Sequence, residues 1–128
     1  MNIYGLGSDI ANENRLKSIL KKNKFFKRRV FSKTEILSCE KKQNSYSCFA
    51  KRFAAKEAFA KSLGTGISKG LSFNEIEVKN NVLGKPYLKI KGNSLKTVHK
   101  IIKKKKFKVS LTLSDDKPFA IAVAILII

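Results

Sequence analysis

Histidine, cysteine and acidic side chains are scarce in this chain. One histidine, His99, and two cysteines, Cys39 and Cys48, are too few to complete the four-ligand set of a structural zinc site. Two cysteines also fall short of the disulfide framework of a small secreted fold, so both are expected to be packing or surface thiols in the reducing cytoplasm. Nine Asp and Glu stand against 28 Lys and Arg, a net charge of +19, which favours acidic partners or phosphate-bearing ligands. The first nine residues show no basic start followed by an apolar run, and Asp9 falls where a secretion signal would need hydrocarbon. The longest uncharged apolar stretch, residues 119–128, is about half of the roughly 20 residues a membrane helix needs and reads as a buried strand, so no membrane partner is expected.

What is present suffices for one core. With 128 residues, 43% of them hydrophobic, the chain is expected to form a single domain over residues 1–128. Residues 2–6 read as a strand that ends at Gly7-Ser8-Asp9, leaving Asp9 at the strand's end, a common place for a ligand-binding carboxylate. Residues 13–20 read as an amphipathic helix with Leu16, Ile19 and Leu20 inside and Arg15, Lys17, Lys21 and Lys22 outside. Ser32-x-x-Glu35 has the spacing of a capping box opening a second helix. Residues 43–47 look like a turn, and residues 48–63, rich in Ala, Lys, Glu and Phe and stopped by Gly64 and Gly66, form the strongest helix. A hairpin over 73–79 and 87–91, a helix over 94–103 and strands over 108–113 and 119–126 complete an α+β chain of mostly antiparallel strands packed on a long central helix.

On that helix Phe53, Glu57 and Lys61 recur every four residues and share a face, with Arg52 and Lys56 beside it. Alone, Glu57 and Lys61 would be an ordinary helix pair worth roughly 0.2–0.5 kcal/mol. Two neighbours give the pair more weight. The helix runs into Leu63-Gly-Thr-Gly-Ile67, whose backbone N–H groups suit a phosphate. Asp9 adds a second carboxylate, and two hard oxygen ligands plus substrate phosphates suit Mg²⁺.

The string Gly5-Leu-Gly-Ser-Asp-Ile10, the core Arg52-Phe-x-x-Lys56-Glu57-Ala-x-x-Lys61-x-x-Gly64-Thr65-Gly66, then Leu71-Ser-Phe-Asn-Glu-Ile-Glu-Val78 and Leu83-Gly-Lys-Pro-Tyr-Leu88 resemble the holo-[acyl-carrier-protein] synthases over essentially the whole chain. The resemblance implies a 4'-phosphopantetheinyl transferase fold and transfer of 4'-phosphopantetheine from coenzyme A, the co-substrate, to a serine of an acyl carrier protein, in support of fatty acid biosynthesis. It implies Asp9 and Glu57 as ligands of the cofactor Mg²⁺, with Lys61 as the third catalytic residue, on the coenzyme A diphosphate. Arg52, Lys56, Gly66, Lys85 and Pro86 fall on positions of the family's coenzyme A cleft. The basic helix of Arg15, Lys17, Lys21 and Lys22 would dock the acidic carrier protein, and a homotrimer with sites at subunit boundaries is implied. The closing hairpin has Ser114-Asp115 where many members carry a histidine, so Asp115 is left out of the ligand set.

Two other readings are set aside. A nucleic-acid-binding protein would use the charge and the nine phenylalanines, but these occupy helix-core and strand positions and no recognition signature accompanies them. A non-catalytic carrier-protein adaptor would have no reason to keep Asp9, Glu57 and Lys61 together.

Overall fold

A computed structural model describes residues 1–65 and 70–128. The order is β1 (Ile3–Asn12), α1 (Glu13–Lys22), α2 (Lys24–Val30), α3 (Lys33–Glu40), α4 (Ser45–Leu63), a 3-10 turn at Phe73–Glu75, β2 (Ile76–Asn80), β3 (Pro86–Ile90), α5 (Gly92–Ile102), β4 (Lys108–Asp116) and β5 (Phe119–Ile127). The strands form an antiparallel sheet of order β1-β5-β4 and a separate β2-β3 hairpin. This is the α+β arrangement expected.

Alternation explains how α4 meets the sheet. Gly5, Gly7, Asp9 and Ala11 lie on one side of β1, and Ala120, Ala122, Ala124 and Leu126 on one side of β5. Facing them, α4 contributes Ala54, Ala55, Ala58 and Phe59, all buried. A Cβ on Gly5 would overlap the Ser62 carbonyl oxygen, and one on Gly7 the Ala58 carbonyl oxygen. Small side chains on both sides therefore let the helix backbone lie directly on the strand. The described residues place no such cover on the opposite side of the sheet: Leu6 and Ile10 are 65% and 60% exposed, with Ile121 beside them at 39%.

Several boundaries differ from expectation, each for a local reason. β1 continues through Asp9 to Asn12 because β5 pairs with it without a break from Leu6 onward, so Asp9, opposite Ala122, lies within a strand and not at its end. α2 forms where only bulky core contacts were foreseen, because the Asn23 side chain accepts from the N–H groups of Phe25 and Phe26. α4 starts at Ser45, inside the expected turn, because Asn44 caps it through the Ser47 N–H. The Ser32–Glu35 capping box is present as expected.

The largest correction concerns the cysteines. Cys39 at the end of α3 and Cys48 in the first turn of α4 are joined as a disulfide, with Cα atoms 5.4 Å apart. Their sequence spacing gave no sign of this, because the helix pair that brings them together is a tertiary event. His99 packs locally: its Nδ1 lies 2.9 Å from the Lys104 carbonyl and its ring packs edge-on against Phe107. Among the described residues, no helix is long and apolar enough to cross a membrane.

Candidate active site

The contact of β1 with α4 assembles the first group. Lys61 donates from Nζ to Asp9 Oδ1 at 3.1 Å and to the Ser8 carbonyl at 3.0 Å. Glu57 lies one helical turn before Lys61 and half-buried. Burial pushes its carboxyl up, the neighbouring Asp9 charge pushes it further, and Lys61 pulls it back only in part. Two hard carboxylates that repel one another, beside an exposed ammonium, suit a divalent cation that also takes phosphate oxygens. Among the described residues no three His, Cys, Asp or Glu converge, so protein ligands beyond Asp9 and Glu57 are not at hand and the rest of an octahedral shell would come from substrate and water.

Lys56 and Arg52 face the other way, and for Lys56 the expectation of a phosphate contact is corrected. Its side chain is fully buried; Nζ donates to Glu35 Oε1 at 2.7 Å, to the Phe73 carbonyl at 2.8 Å and to the Ile76 carbonyl at 2.5 Å. Three protein acceptors account for all three ammonium protons. Burial lowers its pKa to about 8 against the pull of Glu35. Glu35 also accepts from the Ser32 and Val78 N–H groups, so this ion pair ties α3, α4 and β2 together. The Arg52 guanidinium is likewise buried and donates to Cys39 Sγ, the Val78 carbonyl and Ser38 Oγ, which leaves two of its five N–H protons without an acceptor among the described residues.

Arg52 also borders an open cleft of about 380 Å³, lined further by Lys42, Asn44, Ser47, Cys48, Lys51, Val78, Asn80 and Leu113. Most of these residues were not singled out from the sequence. Lys51 offered a signal, since it adjoins Arg52 on the same helix. At the rim Asp115 accepts from Ser47 Oγ at 3.4 Å and pairs with Lys51 at 3.7 Å.

The remaining expected residues are dispersed. Lys85 and Pro86, at the turn of the β2-β3 hairpin, border a different cleft with Lys108, Ser110 and Ile127. Ile127 lies five positions along β5 from Ala122, the partner of Asp9, a separation of about 17 Å at the usual strand rise. One chain therefore does not bring Lys85 and Pro86 to Asp9, Glu57 and Lys61. Gly66 lies outside the described residues. Arg15, Lys17, Lys21 and Lys22 are all exposed on α1, while Leu16 and Leu20 anchor its inner side.

Known proteins resemble this chain in sequence and fold over nearly its full length. Holo-[acyl-carrier-protein] synthase of Pelagibacter ubique is 44% identical over 126 residues, covering 98% of each chain. The crystal structure of holo-[acyl-carrier-protein] synthase from Neisseria meningitidis superposes with a TM-score of 0.83 at 34% identity, covering 98% of each chain. A Bacillus anthracis holo-(acyl-carrier-protein) synthase, solved in complex with CoA (3',5'-ADP), superposes at 0.79 with 35% identity over 98% of this chain and 96% of that one. The profile of the 4'-phosphopantetheinyl transferase superfamily matches residues 5–124, a span that takes in α4 and most of β1 and of the closing hairpin, and the chain belongs to that superfamily.

Proposed function

We propose that this chain transfers 4'-phosphopantetheine from coenzyme A to a serine of apo acyl carrier protein, releasing adenosine 3',5'-bisphosphate. The observation that carries the reading is the convergence of Asp9, Glu57 and Lys61 where β1 lies directly on α4. The serine oxygen forms a bond to the β-phosphorus of coenzyme A, the bond to the bisphosphate breaks with its electron pair on the departing oxygen, and the serine proton passes to water. Such a transfer needs position and charge neutralisation more than covalent help. Asp9 and Glu57 would hold Mg²⁺, which supplies Lewis-acid stabilisation of diphosphate oxygens when bound. Lys61, half-exposed beside Asp9, is placed to pair with the same oxygens. Arg52, with Lys42 and Lys51, offers the nucleotide phosphates a basic cleft.

The remaining parts of the reading concern partners. Arg15, Lys17, Lys21 and Lys22 form the docking surface for an acidic carrier protein, a match of charge that speeds encounter. Lys85 and Pro86, remote from Asp9 in their own chain, serve the site of a neighbouring copy. The bare sheet side around Leu6, Ile10 and Ile121 is the surface a homotrimer would cover. The enzyme acts in the cytoplasm, in fatty acid biosynthesis, as one domain over residues 1–128.

The test is intact mass spectrometry of an apo acyl carrier protein incubated with the enzyme, coenzyme A and Mg²⁺. The expected result is a gain of one phosphopantetheine, lost with EDTA and with Glu57→Ala. Folded enzyme that modifies no carrier protein would overturn the proposal.

A further inference from the structure

The disulfide has a specific place in the basic cleft. Cys39 and Cys48 bracket the segment that carries Lys42, Gln43 and Asn44, all three of which line one wall. Cys48 itself lines the cleft and is only half-buried, whereas Cys39 is fully buried. Behind Cys39, Arg52 Nε donates to Sγ at 3.1 Å. The bond thus ties a loop wall to the helix that carries the floor, with one cysteine at the cleft surface and the other beside a fixed cation.

We infer that the Cys39–Cys48 pair is a thiol-exchange site, entered at Cys48 by a low-molecular-weight thiol, whose redox state sets the order of the cleft wall. The thiolate attacks Cys48 Sγ, a mixed disulfide forms there, and the Cys39–Cys48 bond breaks with its electron pair on Cys39. The Arg52 guanidinium faces that sulfur and stabilises the departing thiolate, and a better leaving group leaves faster. A second thiol attacks the mixed disulfide, releasing Cys48 as thiolate and the reagent as its own disulfide. Two reagent thiols are oxidised and the protein disulfide is reduced by two electrons; an oxidised low-molecular-weight disulfide drives the reverse. Disulfides of proteins in a reducing compartment are as a rule transient and regulatory. Once reduced, the wall bearing Lys42 and Asn44 loses its covalent tie and keeps, among the described residues, its ends in α3 and α4 and the long Asn44 Nδ2 hydrogen bond to Glu13 Oε1 at 3.5 Å.

The effect on coenzyme A rests on the proposed function, so the test reads the switch separately. The full chain is equilibrated in glutathione buffers of graded ratio, trapped with N-ethylmaleimide, and analysed by intact and peptide mass. Matched samples are digested briefly with trypsin, which cuts after Lys41 and Lys42, and assayed for carrier-protein modification. The expected result is full interconversion, a glutathione adduct on Cys48, faster cleavage at Lys41 and Lys42 in the reduced form, and a KM for coenzyme A that rises about fivefold, as for losing the order of one long side chain. The Cys39→Ser/Cys48→Ser double variant should match the reduced form at every ratio. A disulfide that glutathione leaves intact, an adduct confined to Cys39, or equal cleavage in both states would overturn the inference. Exchange and cleavage as expected without transfer in either state would support the switch and overturn the coenzyme A reading instead.

Discussion

Replacing Gly7 by alanine tests whether the approach of β1 to α4 builds the site. The new Cβ would overlap the Ala58 carbonyl oxygen and stand 2.8 Å from the Ser62 nitrogen and 2.9 Å from the Ala58 carbonyl carbon. All three are backbone atoms, so no side-chain rotation can relieve them. Against Ser62 N alone, α4 must retreat by about 0.6 Å to regain an ordinary contact of 3.4 Å, and the Ala58 oxygen demands more. Overpacking of this kind costs about 3 kcal/mol at the upper end of its usual range. Alanine restricts the unfolded chain more than glycine and returns about 0.5–1 kcal/mol. The net loss of about 2 kcal/mol should lower Tm by roughly 6–10 °C for a domain of this size. Because the same retreat carries Lys61 away from Asp9, now 3.1 Å apart, transfer activity measured well below the new Tm should fall too. Calorimetry and the carrier-protein mass assay read the two effects. Ser8→Ala, on the outward side of the same strand, should change stability by no more than about 0.5 kcal/mol. Gly7→Ala enzyme with unchanged Tm and full activity would refute the argument.

Other residues give sharper tests of the scaffold and of partner encounter. Burial acts to raise the Glu77 carboxyl, but hydrogen bonds from Ser32 and Thr34 and the Lys91 ammonium outweigh it and hold the pKa at about 2. A depressed carboxyl stabilises the fold fully above its unfolded value of 4.5 and loses that contribution as pH falls toward 2, in all on the order of 3 kcal/mol. Urea titrations from pH 5 to pH 2 should show this slope in the native chain and a shallower one in Glu77→Gln. Lys56→Met, which leaves the Glu35 carboxylate buried without its cation, should cost about 3–5 kcal/mol by urea unfolding; a loss below about 1 kcal/mol would mean that the pair does not organise the core. If α1 docks an acidic carrier protein, kcat/KM for that protein should drop steeply with NaCl, and Lys21→Glu/Lys22→Glu should lower it about tenfold at low salt while leaving KM for coenzyme A unchanged.

The sequence exposes what is local and hides what is tertiary. The capping box at Ser32 and the glycine stop after Leu63 rest on bonds within a few residues, and the chain shows both as foreseen. Helical spacing alone put Glu57 beside Lys61, and the motif linked Asp9 to them although Asp9 is 48 residues away from Glu57. Spacing cannot report which side of a helix faces the core. Lys56 belongs to the same motif as Glu57, yet its stem crosses the interior to Glu35 because the next residue in a helix points about 100° away. Lys85 and Pro86 match the motif too, but the hairpin carries them to the other end of the sheet. The Cys39–Cys48 bond depends on how α3 folds back on α4, which no pattern within either helix encodes.

α4 also acts as a ruler. Lys51 stands at the basic cleft and Lys61 beside Asp9, ten residues later on one unbroken helix, which sets them about 15 Å apart along its axis. A ligand gripped at both ends must carry negative charge at two points with roughly that reach. A bare phosphopantetheine could occupy only the Lys61 end, whereas a molecule with a nucleotide phosphate beyond its diphosphate could span both. Molecular length, fixed by the pitch of one helix, would then separate the intact donor from its own transferred fragment.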